Sequence, residues 1–381
     1  MKIAAIVCEY NPFHKGHQFH IEETLRQSGA DAIIAIMSGN YVQRGDVAIY
    51  PKHLRAKAAL LGGADLVLEL PSVYSTGSAE FFAKGAVETL SSLGIADTLS
   101  FGAETPDSKI LTQIATLLAT EPLEFAQALK KHSSQGISFP SARAKAIGEI
   151  LGSNAEKVIS EPNNILAIEY CKALFKSGSE ITPLPIQRTG ANHDSIISDG
   201  SIASATLIRD LLVSGHAQDA HIYMPYFTKD IFADKPIHSI KALEKSILCE
   251  LVKIPTEKLK KISDVSEGLE NRIKDAAISS SNLDELIESV KTKRYTHSRV
   301  RRIILSAFLG ITDSDRKASP RYIKILDHNE TGQKIIAAAK KASTLPIVRN
   351  TSQVNKLNDP QIKSLWERER IFDKIYEMTE I

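Results

Sequence analysis

Lys2-Ile3-Ala4-Ala5-Ile6-Val7-Cys8-Glu9-Tyr10-Asn11-Pro12-Phe13-His14-Lys15-Gly16-His17-Gln18-Phe19-His20 is the stretch whose reading decides the fold. Its first third is a short, nearly continuous apolar run, the pattern of a strand buried on both faces of a parallel sheet. From His17 the apolar residues recur at helical spacing instead. A strand, a polar loop and a helix in that order turn the free N–H groups of the helix start toward the loop. Gly16 lets backbone approach a ligand closely, and His14 and His17, three residues apart, share one side of the first turn. Such a place favours phosphate.

Working outward, the apolar runs at 31–37, 64–70 and 97–101 read as further buried strands, and 51–61 and 79–93 as the helices between them. Alternation at this spacing predicts an α/β fold, a Rossmann-like doubly wound parallel sheet, with ligands bound beyond the carboxyl ends of the strands near a topological switch point. The His loop, the polar loop 38–46 and Gly102 all follow strands, so they share that edge. Helical segments at 141–151 and 164–175 precede one more strand at 181–187. Pro162-Asn163-Asn164 opens the second of these helices, where an Asn either caps the backbone or meets a base or ribose. The strand at 181–187 is followed by Arg188 and the polar run to Asp194. Next comes a second phosphate-like signature, Ser201-Ile202-Ala203-Ser204-Ala205-Thr206-Leu207-Ile208-Arg209. Its hydroxyls, backbone N–H groups and guanidinium suit the far end of a triphosphate.

Composition agrees with a globular protein that buries a large interior: 381 residues, 43% hydrophobic and 24% charged, with a net charge of +2. A chain of this length is expected to form two or three domains. No apolar run approaches the roughly 20 residues that span a bilayer, and the start lacks a signal-like pattern, so a cytoplasmic protein is expected. Cys8, Cys171 and Cys249 are odd in number and far apart, which suggests neither a disulfide framework nor a thiolate metal site.

The two signatures in this order resemble the superfamily of HIGH-motif nucleotidyltransferases. Residues 9–17, Ser38-Gly39-Asn40-Tyr41-Val42-Gln43-Arg44-Gly45, Gly63-Ala64-Asp65-Leu66-Val67-Leu68-Glu69-Leu70-Pro71, Pro162-Asn163-Asn164-Ile165-Leu166 and Ser204-Ala205-Thr206 together resemble the bacterial tRNA(Met) cytidine acetate ligase family. That resemblance implies a two-step reaction. Acetate and ATP give acetyl-adenylate and pyrophosphate, and the acetyl group passes to the wobble cytidine of elongator tRNA(Met), giving N4-acetylcytidine. It also implies an ATP site made of the loop from Cys8 through His20, Gly102, one of the pair Asn163 and Asn164, and Arg188. No covalent nucleophile is needed for in-line attack on the α-phosphorus, only positioning and donors for the charge on the phosphates. His14, His17, Ser204, Thr206 and Arg209 are the groups assigned to that work. Mg2+ is expected to travel with the triphosphate, leaning on substrate oxygens, and no protein metal cage is visible. For acetate, Arg44 either holds the small carboxylate or pairs with Asp46.

Residues 1–215 are thus expected to form the ATP-binding catalytic domain and 216–381 a mainly helical, basic domain for tRNA. Between Lys291 and Arg302 there are six Lys or Arg and no acid. Lys293, Arg294, Tyr295, Ser298, Arg299, Arg301 and Arg302 suit RNA phosphates with a base stacked on the tyrosine, unless they are simply a solvated helix end paired with the acids of 284–288. Residues 322–326, 332–341 and 345–348 read as a small βαβ-like addition, and 361–377 as a closing helix with Leu365, Phe372 and Tyr376 inward. Two other readings remain open at this point, a small-molecule adenylyltransferase with a different acceptor and a catalytically silent RNA-binding module. No protein partner and no membrane are implied.

Overall fold

In the computed structural model, which describes residues 1–188, 203–266, 268–292 and 295–381, the expected strands form: β1 Ile3–Cys8, β2 Ala32–Ser38. Two short strands, β3 Tyr41–Val42 and β4 Asp46–Val47, make an antiparallel hairpin inside what the sequence reads as a plain polar loop. The series continues with β5 Leu66–Leu70, β6 Thr98–Ala103, β7 Thr182–Gln187, β8 Ile323–His328 and β9 Ile347–Val348. A seven-stranded sheet runs β7-β6-β1-β2-β5-β8-β9. Its first five members are mutually parallel.

The sequence pattern explains this order. In β1 and β2, odd and even residues enter different cores: Ile3, Ala5, Ile34 and Ile36 lie on one face, Ala4, Ile6, Ile33 and Ala35 on the other. A strand whose two faces are both covered has no polar side to show, hence the unbroken apolar runs. Pro183 and Pro185 sit in β7, at the edge of the sheet, where a missing N–H costs no ladder bond. β1 has β2, the next sheet strand in sequence, on one side and β6 on the other, so the switch point lies where the His loop leaves β1 beside the end of β6; Gly102, expected to follow its strand, is the penultimate residue of β6, paired with Ile186 of β7.

The chain beyond residue 216 is not one helical unit. A separate apolar core, including Leu251, Leu286, Val290 and Val300, holds the helices between 243 and 309. From β8 the chain returns to the main sheet: β8 pairs antiparallel with β5, and β9 parallel with β8 around the helix Glu330–Ala342. The βαβ-like reading of this stretch is met, but its docking on β5 is a long-range pairing that local pattern does not encode. The helix Pro360–Glu377 then packs on the sheet, with Phe372 and Tyr376 buried and Leu365 half-buried.

That closing helix is locked by buried charge. Lys52 Nζ lies 2.7 Å from Glu69 Oε1 and 2.6 Å from Asp373 Oδ1, while Lys324 Nζ lies 2.6 Å from Glu69 Oε2. Ser72 donates to Glu369 through N–H at 2.9 Å and Oγ at 2.7 Å. Tyr41 and Tyr376 donate to the carbonyls of Phe372 and Ala48, each at 2.8 Å. Burial alone would raise the Glu69 carboxyl, but Lys324 and Lys52 overcome it and hold it at about 2. No helix among the described residues is long and apolar enough to cross a membrane.

Candidate active site

His14 is the N-cap of the helix Lys15–Ser28, with φ −136° and ψ 171°. Its Nδ1 accepts from the N–H of Gly16 at 3.1 Å, and its own N–H donates to Nδ1 of His17 at 3.2 Å. The two rings stack, 3.5 Å between centroids. The pair thus makes a capping box from imidazoles, where Ser or Thr with Glu is usual. Chemically the result is specific. Burial, reinforced by Arg188 and Arg209, depresses His14 to about 3; burial and the neighbouring His14, His20 and Arg188 hold His17 well below its ordinary value. Both rings are neutral at physiological pH, and since each Nδ1 is an acceptor, each proton sits on Nε2. Two Nε2–H donors therefore stand side by side at a helix N-terminus, and neither has a partner among the described residues. His20, lowered to about 4 by burial and Arg188, is tethered instead, Nε2 lying 3.1 Å from Ser100 Oγ on β6.

The rest of the loop is scaffold. Phe13 is fully buried, with Tyr10 edge-on at 4.8 Å, and Asn11 Oδ1 accepts from Ile49 N–H at 2.7 Å. Cys8 Sγ faces Ile36 O at 3.6 Å and Pro12 is buried. Of the residues assigned to an ATP site, Cys8, Tyr10, Asn11, Pro12 and Phe13 shape the loop. Glu9, Lys15, Gln18 and Phe19 stay half-exposed with the histidines and Gly16.

One residue that holds this edge together escapes the sequence reading. Arg55 is fully buried; it donates from Nε to Tyr50 O at 2.9 Å, from Nη2 to Ser38 O at 3.1 Å and to Gly39 O, and from Nη1 to Glu9 O. One guanidinium thus joins the exits of β1 and β2. A signal for it exists: Lys52 and Arg55 occupy the same buried stripe as Ala56 and Ala59 in the helix Lys52–Leu61, an unusual place for two cations.

The second signature arrives beside the first. Ser204 caps the helix Ala205–Val213, accepting from Leu207 N–H at 3.2 Å, and Arg209 donates to Asn11 O at 2.9 Å and to Thr206 Oγ1 at 3.1 Å. Arg209 thereby staples the His loop to the hydroxyl-bearing helix; Ser201 and Ile202, like the run from 189 to 200, lie outside the described residues. Opposite, Arg188 donates through its N–H to Ala103 O at 3.0 Å, and its side chain lies over Gly102, where an added Cβ would stand 3.2 Å from Arg188 Cγ.

Neither Asn163 nor Asn164 caps its helix. Glu104, just past β6, does so: its Oε2 accepts from Asn164 N–H at 2.8 Å and its Oε1 from Asn163 N–H at 3.1 Å and Asn163 Nδ2 at 2.5 Å. Asn164 is fully buried and its amide is used up by Thr105 and Val158. Asn163 is half-buried and keeps its side-chain oxygen unpartnered among the described residues. Asp46 does not pair with Arg44: its Oδ1 accepts from Val47 N–H at 2.8 Å, and Arg301 Nη1 lies 3.9 Å from Oδ2.

The edge between β1 and β6 thus carries imidazole, hydroxyl and guanidinium donors from both sequence signatures. The HIGH nucleotidyl transferase model covers residues 1–380. The tRNA(Met) cytidine acetate ligase of Thermoanaerobacter sp. strain X514 is 44% identical over 93% of this chain and 90% of its own length. The chain belongs to the tRNA(Met) cytidine acetate ligase family. Another family member, from Acetivibrio thermocellus, is 39% identical over 99% of this chain and 95% of its own. Crystal structures of Thermotoga maritima TmcAL, 32% identical, superpose on the whole chain and on 95% of theirs, with a TM-score of 0.93 for the apo form and 0.90 for the one bound with alpha-thio ATP.

In this family member the basic string forms the start of the helix His297–Leu309. Its backbone at Arg301 and Arg302 rests on Gly45 of the β3–β4 hairpin, where φ is +73° and a Cβ would come within 2.5 Å of Arg302 N. The end of the string therefore lies against the hairpin that follows β2. Lys293 and Arg294 lie outside the described residues. Tyr295 departs from expectation: it is 8% exposed and covered by the Arg299 guanidinium at 4.9 Å, so its ring offers no face to a base. Arg299 also donates to Asp264 O at 2.8 Å, Ser298 is half-exposed, and the Nε atoms of Arg299 and Arg302 are buried without a partner among the described residues. The acid pairing foreseen for the string is partial, with Lys291 and His297 both at Glu288.

Proposed function

We propose that this chain is the ATP-dependent ligase that activates acetate as acetyl-adenylate and transfers the acetyl group to the wobble cytidine of elongator tRNA(Met), giving N4-acetylcytidine. The observation that carries the reading is the pair of neutral, Nε2-protonated imidazoles at a helix N-terminus, stapled by Arg209 to the Ser204 and Thr206 helix. Supporting it are the names of the relatives and the alpha-thio ATP bound by the Thermotoga protein.

The triphosphate lies on the donors of His14, His17, Ser204, Thr206 and Arg209, which stabilise charge as pyrophosphate departs. Preorganised N–H donors suit this because their protons are already in place. The backbone of the loop from Cys8 to His20 and the close approach allowed at Gly102 seat the nucleotide between Arg188 and Asn163. Mg2+ rides on substrate oxygens, consistent with a protein side made of N–H, O–H and cationic donors. Arg44, at the tip of the β3–β4 hairpin, holds the acetate carboxylate. Arg299, Arg301 and Arg302, with Lys293, Arg294 and Ser298, contact tRNA phosphates, and the enzyme works in the cytoplasm where that tRNA is.

Acetate-dependent pyrophosphate release with ATP, followed by nucleoside analysis of elongator tRNA(Met), tests the reading. Acetylated wobble cytidine is the expected product. Pyrophosphate release with no acetylated tRNA would replace the reading with an adenylyltransferase using another acceptor. Absence of both would leave only an RNA-binding module.

A further inference from the structure

The second half of that reaction needs a group the assigned residues do not supply. The exocyclic amine of cytidine is conjugated with its ring and a poor nucleophile, so its attack on a carbonyl calls for a base to take the N–H proton. His14 and His17 cannot do so, because each already carries its proton on Nε2 and spends Nδ1 on the backbone. His20 is bonded to Ser100. Both oxygens of Glu104 accept from the Asn163–Asn164 turn, and Asp46 is bonded at Oδ1 and faces Arg301 at Oδ2.

Glu9 is different. It stands where β1 passes into the His loop, its carbonyl held by Arg55. Its Oε1 accepts from the N–H of Gln43 on the β3–β4 hairpin at 2.7 Å, which fixes the carboxyl plane, while Oε2 has no hydrogen-bond partner among the described residues and the residue is only half-buried. The hairpin that fixes it is the one whose Gly45 packs against Arg301 and Arg302 of the basic helix, so the carboxylate lies near the face on which the function proposed above places the tRNA.

Resting on the function proposed above, we infer that Glu9 is the general base of acetyl transfer. The N4 lone pair forms the new N–C bond at the acetyl carbonyl, and the C–O bond to AMP breaks with its electron pair leaving on AMP. The N–H proton passes to Glu9 Oε2 and from there to solvent. Burial raises the Glu9 carboxyl, against the Gln43 N–H and the cations Arg209, Arg55 and Arg44, which lower it; Cys8 and Tyr170 also face it. A carboxylate held above its ordinary range is a better base than a free one.

The test starts from chemically prepared acetyl-adenylate, so that ATP binding and adenylation drop out, and follows single-turnover acetylation of elongator tRNA(Met) between about pH 5 and pH 8.5. In the wild type the rate should rise along a limb with an apparent pKa above the ordinary carboxylate range and then level off. E9Q should be about 100-fold slower or worse and lose that limb, and E9D should keep the limb at a reduced rate. A wild-type rate flat over this range would overturn the inference without any variant. So would E9Q transferring within about threefold of wild type, or transferring slowly with the wild-type limb intact, the mark of a structural role. If the wild type moves no acetyl group to tRNA at all, the function reading itself fails, and the inference with it.

Discussion

Replacing Arg55 with Met keeps most of the buried volume and removes the fork that ties the exits of β1 and β2 together. Four carbonyls, those of Glu9, Ser38, Gly39 and Tyr50, lose their donor at once. Hydrogen bonds to a charged group contribute about 1.5–3 kcal/mol each, but four sharing one guanidinium are not additive. Breaking a buried charged cluster costs about 3–5 kcal/mol, which we take as the expected loss. Against a typical stability of about 5–15 kcal/mol this is a large fraction, and it should appear as a lower urea midpoint by circular dichroism. Function should suffer separately. Glu9 and Gly39 are the first residues of the two loops, and displacement by about 1 Å at a reacting site costs on the order of 100-fold in rate. R55K should fall between, because an ammonium cannot reach four divergent acceptors. An R55M protein less than about 1 kcal/mol destabilised, with acetate-dependent pyrophosphate release within about twofold of wild type, would refute the reasoning.

Three further outcomes follow from the same geometry. N163A should weaken ATP binding about tenfold or more by calorimetry with little change in stability, whereas N164A, which strips a fully used buried amide, should cost about 1–3 kcal/mol in a urea titration; equal effects on both quantities would contradict the division. Glu69, with its carboxyl lowered to about 2 in the folded protein, contributes stability that is present above its ordinary value near 4 and lost as pH falls toward 2. In K324M one of its two cations is gone, so this contribution should be smaller and its loss complete at a higher pH, and an acid-unfolding profile unchanged from wild type would count against the network. R302Q should weaken tRNA binding across sequences and reduce the slope of log affinity against log salt by about 1, and an unaltered slope would remove Arg302 from the phosphate contacts.

Where local pattern and tertiary placement agree, the sequence is a sufficient guide. Strands β1, β2, β5 and β6 announce themselves because each is apolar on both faces, and the His loop because it lies between such a strand and a helix. Ser204 is a recognisable cap, and its approach to the His loop follows from the shared strand edge. What escapes reading depends on contacts far apart in sequence. Arg55 binds only backbone carbonyls, which have no residue signature. Glu104 takes over the capping that Asn163 and Asn164 were free to perform, a choice settled by where β6 ends. Tyr295 looks like a stacking platform in a basic string, yet Arg299, one helical turn on, lies over its ring. The pairing of β8 with β5 spans more than half the chain, so the boundary expected at 215 divides segments that share one sheet.

The lock made by Lys52, Glu69, Lys324 and Asp373 bears on how the protein comes into being. Until a ribosome has released residues up to 373, Lys52 and Glu69 sit in a half-built interior without their full complement of partners, and Ser72 lacks Glu369. The edge that carries the His loop, although encoded almost entirely in the first 210 residues, is therefore expected to reach its final form only after the helix Pro360–Glu377 has packed beside it. A chain interrupted between β9 and that helix would carry both sequence signatures and still lack the partners that Lys52 and Ser72 find on it, beside the Lys52–Leu61 helix that also bears Arg55. Competence is thus expected to wait on completion of synthesis, and a chain truncated before residue 360 should be more sensitive to limited proteolysis than the whole chain.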